Sequence, residues 1–175
     1  DFVFGYEESY GLLAAPFVRD KDAIQALVLY SEMALYYHLQ GKTLDVVLDE
    51  LYAKYGYHLD ITKSIAFPGA AGQKDMHDKL TNLRNNPLTE IAGLKVIKRD
   101  DYLVSKSFEG DKVTPLTLPQ SDVLRYYLEG GTTISIRPSG TEPKCKIYFG
   151  IISDNKKEAQ ALLEVLSNDL KAHFI

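Results

Sequence analysis

The chain has 175 residues, 45% of them hydrophobic and 25% charged, with a formal net charge of -4, the composition of a globular protein with one domain or one domain plus part of another. That charge excludes a general binder of nucleic acid or anionic membrane, which needs a long-range positive field, so any anion site is local. The single cysteine, Cys145, excludes an internal disulfide framework and fits a reducing, cytoplasmic compartment, and no apolar run approaches the roughly 20 residues that span a bilayer.

The apolar triplet Phe2 to Phe4 reads as the end of a buried strand, so the chain is expected to begin in mid-domain. A polar loop, Gly5 to Gly11, follows. Asp22 to Gln40 is apolar on nearly every face and stops at Gly41, which predicts a helix built to be covered. Thr43 is the expected N-cap of a second helix, with Leu44, Val47, Leu48, Leu51, Tyr52 and Tyr55 at helical spacing up to Gly56. One strand and two helices cannot close an α/β core. Residues 1–56 are therefore expected to be the helical tail of a truncated α/β domain.

A second layer starts at Tyr57: an extended segment to about Phe67, a turn at Pro68-Gly69, then a helix with Met76, Leu80 and Leu83 on one face. Extended stretches are expected at Leu94 to Lys98 and Tyr102 to Ser105. Pro115 and Pro119 mark a loop before a short helix, Ser121 to Leu128. Strands Thr132 to Ile136 and Lys144 to Ile152 flank a tight loop. A last helix, capped near Ser153 or Asp154, puts Ala159, Leu162, Leu163, Leu166 and Leu170 on one stripe. Residues 57–175 thus read as a two-layer α+β domain.

Arg137-Pro138-Ser139-Gly140-Thr141-Glu142-Pro143-Lys144 has the chemistry of an oxyanion cradle. Arg137 offers a bidentate guanidinium fork, Ser139 and Thr141 offer hydroxyls, Gly140 lets backbone N–H groups turn inward, and the prolines stiffen the loop. A plain hairpin turn would use the same residue types. Gly5-Tyr6-Glu7-Glu8-Ser9-Tyr10-Gly11 sets two carboxylates and a hydroxyl between glycines, which suits vicinal sugar hydroxyls, though a divalent metal or a solvated acidic turn fits too. Arg19-Asp20-Lys21-Asp22 places cations at a helix start, where they oppose the dipole unless an anion is near; a self-neutralised helix start is the bland alternative. Pro68 to Gly72 lacks the Gly-Lys-Ser/Thr ending of a phosphate loop, and His38, His58, His77 and His173 have no ligand spacing.

In order and spacing, the loop Gly5 to Gly11, the Arg19 to Asp22 segment and the Arg137 to Lys144 loop resemble the α-D-phosphohexomutase superfamily of phosphoglucomutases and phosphomannomutases over the whole chain. The resemblance implies that residues 1–56 are the end of the family's third domain and 57–175 its fourth, a module similar to the TATA-binding protein but without its nucleic-acid role. It implies that Glu7, Glu8 and Ser9 bind sugar hydroxyls, that Arg137, Ser139, Gly140, Thr141 and Lys144 bind the non-transferring phosphate, and that Lys21 assists at the reacting side. It further implies an isomerase interconverting glucose 1-phosphate and glucose 6-phosphate through a phosphoserine and glucose 1,6-bisphosphate. The serine and Mg²⁺ would belong to the first and second domains, which are the missing partners, so this chain would bind no metal and be inactive alone. Mannose or pentose phosphates as substrates, and a non-catalytic phosphosugar-binding module, stay open. The uncovered faces of residues 1–56 are expected to drive self-association.

Overall fold

The computed structural model describes residues 2–7, 11–140 and 142–173. They fall into two units, Asp1–Gly56 and Tyr57–Ile175.

In the first unit, two short strands, β1 (Gly5–Tyr6) and β2 (Leu12–Leu13), pair antiparallel and bracket the acidic loop. Phe2 to Phe4, expected as a buried strand end, lies outside the pairing and is exposed, because only Gly5 and Tyr6 have a partner strand in register. Helix α1 (Ala23–His38) is capped by Asp22, whose carboxylate accepts the Ile24 N–H at 2.9 Å. α1 ends short of the expected Gln40 and has no buried residue. Helix α2 (Leu44–Tyr55) starts after Thr43 and stops at Gly56.

The second unit is built on one antiparallel sheet. Its strands are β3 (Tyr57–Ala66), β4 (Glu90–Ile91), β5 (Leu94–Asp101), β6 (Lys106–Glu109), β7 (Lys112–Pro115), β8 (Leu124–Leu128), β9 (Thr133–Pro138) and β10 (Lys144–Ser153), with helices α3 (Gly69–Asn85) and α4 (Lys156–Ala172). The strand order is β3-β10-β9-β8-β5-β6-β7, with β4 on β5, so the unit is α+β. Side chains opposite one another in register share a face. One row runs Phe149, Ile134, Tyr126 and the next Ile147, Ile136, Leu124, all buried. Met76, Leu80 and Leu83 of α3 and Ala159, Leu166 and Leu170 of α4 close over these rows, each fully buried side chain being worth about 1.5–3 kcal/mol. α4 is capped by Asn155 rather than Ser153 or Asp154: its side chain accepts the Glu158 N–H at 3.0 Å.

Two expectations fail here. Ser121 to Leu128 is not a helix: Leu124, Tyr126 and Leu128 alternate into the core, so the last five residues are strand β8. Tyr102 to Ser105 is the turn from β5 to β6, closed by Ser105 at φ 53°, and not a strand. A partly buried ion cluster ties α3 to the sheet: Arg84 pairs with Asp101 at 3.4 Å and with Asp122, and accepts a bond from Arg99 on its carbonyl.

Candidate functional site

In the first unit, the β1–β2 pairing folds the acidic loop back on itself, and the Glu7 N–H donates to the Gly11 carbonyl at 2.9 Å. The Asp22 N–H donates to the Leu12 carbonyl, which brings the start of α1 to the same hairpin. Lys21 thereby reaches Glu7, with Nζ 3.2 Å from Oε1. Gly11 makes room for this pair, since a Cβ there would stand 2.4 Å from Lys21 Cδ and 3.1 Å from Glu7 Oε1. Two residues singled out from separate segments are thus in contact. Glu8 and Ser9 lie outside the described residues.

In the second unit, the loop between β9 and β10 is drawn tight by its own backbone. The Ser139 N–H donates to the Lys144 carbonyl at 2.9 Å, the Lys144 N–H to the Glu142 carbonyl at 2.7 Å, and the Phe67 N–H to the Pro143 carbonyl at 2.7 Å. Ser139 Oγ accepts the Glu142 N–H at 3.2 Å, which leaves its own proton to donate. A cavity of about 360 Å³ opens beside the loop, lined by Arg137, Pro138, Ser139, Gly140, Glu142 and Lys146. Among the described residues no carboxylate pairs with the Arg137 guanidinium. Gly140 has no left-handed φ, and a Cβ there would meet nothing within 4 Å, so the fold itself does not call for glycine at this position. Thr141 lies outside the described residues.

Lys144 is paired within the loop. Its Nζ sits 2.5 Å from Glu142 and does not line the cavity, and its hydrogen bond and charge hold the Glu142 carboxyl below its usual range. Lys146, which the motif did not single out, is the register partner of Arg137 across β9 and β10 and lines the cavity. The signal was there in the alternation of β10, which puts residue 146 on the face of Arg137. Buried Cys145 on the opposite face is not a nucleophile. Burial, with the nearby Asp122 charge second, pushes its thiol up to about 12.

Among the described residues there is no group of three or more His, Cys, Asp or Glu side chains that could hold a metal, and Glu7 is engaged by Lys21. The donors placed here do not fit a Mg²⁺ site. Among the described residues no helix is long and apolar enough to cross a membrane.

Comparison with known proteins identifies relatives of this chain. Residues 79–166 match the family described as phosphoglucomutase/phosphomannomutase, C-terminal domain, and residues 1–55 match phosphoglucomutase/phosphomannomutase, alpha/beta/alpha domain III. The chain is 42% identical over 157 residues to a phosphoglucomutase of Staphylococcus aureus strain bovine RF122 / ET3-1, covering 89% of this chain and 28% of that protein. It is 40% identical over 157 residues to a phosphoglucomutase of Staphylococcus epidermidis, covering 89% of this chain and 29% of that protein. In fold it is similar to the crystal structure of pp63/parafusin, an exocytosis-sensitive phosphoprotein and phosphoglucomutase from Paramecium in its open form: the TM-score is 0.58 at 18% identity, over 95% of this chain and 28% of that one. The chain thus spans less than a third of the length of these relatives.

Proposed function

The chain belongs to the phosphoglucomutase/phosphomannomutase family, and we propose that it supplies the sugar-reading and phosphate-holding parts of an enzyme interconverting glucose 1-phosphate and glucose 6-phosphate. The observation that carries this reading is the cavity at the end of β9 and β10. Two cations, Arg137 and Lys146, converge there with the Ser139 hydroxyl and a glycine whose missing Cβ faces open space. Arg137 supplies a planar fork to two phosphate oxygens and Lys146 a point charge to a third. Gly140 keeps the wall thin, so that backbone N–H groups approach the anion, and Thr141 adds a hydroxyl.

Glu7, with Glu8 and Ser9, reads the sugar hydroxyls. A carboxylate accepts hydrogen bonds from vicinal hydroxyls, and Lys21, 3.2 Å from its Oε1, holds Glu7 in place until sugar arrives. Such contacts hold a substrate whose phosphoryl transfer takes place elsewhere, on a phosphoserine, through glucose 1,6-bisphosphate. Because a bisphosphate must be held in two orientations, a phosphate cradle on one unit and a polyol-reading loop on the other is a workable division. Mg²⁺ and the serine belong to further parts of the enzyme, and the chain alone is inactive. A cytoplasmic location suits phosphorylated substrates. The relatives named phosphoglucomutase favour glucose over mannose phosphates.

The direct test is an NMR titration of the chain with inorganic phosphate and with glucose 6-phosphate. Shifts are expected first at the amides of Ser139 and Gly140, weakly, in the millimolar range set by a single solvated anion site, and Arg137→Ala should abolish them. Shifts centred on Gly69 to Gly72 instead would remove the cradle from the reading. Turnover of glucose 1-phosphate by the purified chain, lost on Arg137→Ala, would overturn its inactivity.

A further inference from the structure

A second cavity lies on the same face of the second unit's sheet, away from α3 and α4. Its volume is about 350 Å³; Tyr102, Leu118 and Pro119 wall it, while Arg125, Ser121 and Ser135 supply its polar groups. Ser135 and Arg125 are register partners across β9 and β8, and Ser135 precedes Arg137 by two residues on β9, about 7 Å along the strand. The two cavities are neighbours with different linings: the first is rimmed by charged and polar groups, Arg137, Lys146, Glu142 and Ser139 among them, the second mostly by carbon.

We propose that this second cavity is a binding site for a small carboxylate with an apolar or aromatic body, anchored by Arg125. The guanidinium carries five donors and a permanent charge. Its Nε is buried and has no hydrogen-bond partner, and among the described residues no carboxylate lies within ion-pair distance of it. The acid that register would offer is Asp100, directly across on β5. Asp100 has other partners: it accepts the Tyr127 hydroxyl at 2.9 Å on Oδ2 and lies 3.5 Å from Lys98 Nζ through Oδ1. Arg125 is instead held by the Tyr127 ring, 4.9 Å from its centroid, a contact that steadies the guanidinium plane without neutralising it.

The guanidinium has no carboxylate counter-ion among the described residues, and an oxyanion in the cavity supplies one. The walls then decide which oxyanion. Leu118, Pro119 and the Tyr102 ring reward a body that sheds water, and two serine hydroxyls are too few to replace the hydration of a phosphate. A monocarboxylate with a ring or a compact alkyl body satisfies both demands. This assignment stands whether or not the Arg137 cavity holds phosphate.

The test uses benzoate, benzyl alcohol and inorganic phosphate as probes in separate NMR titrations of the chain. Benzoate should shift the amides of Val123, Arg125 and Ser135 saturably. Benzyl alcohol, which keeps the ring and lacks the charge, should bind there about tenfold more weakly or worse. Phosphate should leave those amides in place. Arg125→Gln should abolish the benzoate shifts and Arg125→Lys should retain part of them. The two-probe comparison on the unsubstituted protein stands even if Arg125→Gln fails to fold. Equal affinity for benzoate and benzyl alcohol, benzoate shifts confined to Ser139 and Gly140, phosphate competing equally at Arg125, or no saturable shift by about 50 mM, well above the millimolar scale of a weak site, would each overturn the proposal.

Discussion

Arg137 and Lys146 stand opposite one another in register across β9 and β10, on the face of the sheet turned away from α3 and α4. A phosphate bound between them would meet a guanidinium and an ammonium from adjacent strands, with the Glu142 carboxylate also on the rim of the cavity. In the complete enzyme Arg137→Ala should therefore raise KM far more than it lowers kcat, because a phosphate held throughout the reaction is largely uniform binding. The expected loss in kcat/KM is about 30- to 900-fold, from about 2–4 kcal/mol for a bidentate charged contact. Lys146→Ala should cost less, about tenfold, as one solvated point charge. Unchanged kcat/KM in both variants would take the cavity out of the substrate site.

Two glycines should separate folding from binding. A Cβ on Gly72, in the first turn of α3, would stand 2.4 Å from the backbone carbon and oxygen of Phe67, and no flexible side chain can yield there. Gly72→Ala should destabilise the second unit by about 1–3 kcal/mol. A Cβ on Gly140 meets nothing, so Gly140→Ala should shift stability by less than about 0.5 kcal/mol while weakening phosphate binding. Thermal midpoints alongside phosphate titrations decide this. A stable Gly72→Ala protein would contradict the close approach.

Alkaline pH should loosen the second unit. Burial pushes the Cys145 thiol from its ordinary 9.0 to about 12 and the Tyr126 phenol from 10.0 to about 12, and the Tyr126 hydroxyl has no hydrogen-bond partner. The folded state holds both protons more tightly than the unfolded chain does. Their contribution is therefore complete below pH 9 and is lost as pH rises from 9 towards 12. Urea midpoints should fall above pH 9, and Cys145→Ala should flatten the first part of that fall. A midpoint independent of pH between 9 and 11 would show that neither group is shielded.

The helices and the long strands were legible because their periodicity runs over many residues: α1, α2, α4, β3 and β10 each carry enough turns or alternations to exclude the other period. Over five residues the distinction collapses. Leu124 and Leu128 are four apart, which suits a helix, yet Tyr126 between them is also buried, which only a strand allows. The β6–β7 hairpin was missed because Lys106, Glu109 and Lys112 mask its alternation, although Gly110-Asp111 is a two-residue hairpin loop and Gly110 has the positive φ, 55°, that such a turn uses. In the β9–β10 loop the Glu142–Lys144 pairing was not legible, because the motif does not say which lysine Glu142 captures, whereas the alternation of β10 already set Lys146 on the face of Arg137.

The first unit should associate with itself in solution. Ile24, Leu27, Val28 and Leu35 lie on one stripe of α1 and all are more than half exposed, in a helix with no buried residue. Sedimentation of the chain should give a concentration-dependent mass, and Leu27→Glu should reduce it. A monomer at every accessible concentration would reject this.

The Glu7–Lys21 pair should matter to sugar and little to folding. The two side chains are 38% and 50% exposed, and an ion pair so open to water contributes at most about 1 kcal/mol. Glu7→Gln should therefore leave the thermal midpoint nearly unchanged. Its effect on the complete enzyme should be larger, because a carboxylate accepting two hydroxyl protons is replaced by an amide that accepts less strongly: about 10- to 100-fold in kcat/KM, the weight of a charged hydrogen bond. Lys21→Ala removes a group that pairs with Glu7, so the two substitutions should not add, and the double variant should be little worse than Glu7→Gln alone. Gly11→Ala offers an independent check, since its Cβ would displace the Lys21 stem at 2.4 Å and so open the pair without removing either charge. If Glu7→Gln lowers stability and leaves kcat/KM unchanged, the pair is a structural clasp for the β1–β2 hairpin. Full additivity in the double variant would mean that Lys21 acts apart from Glu7.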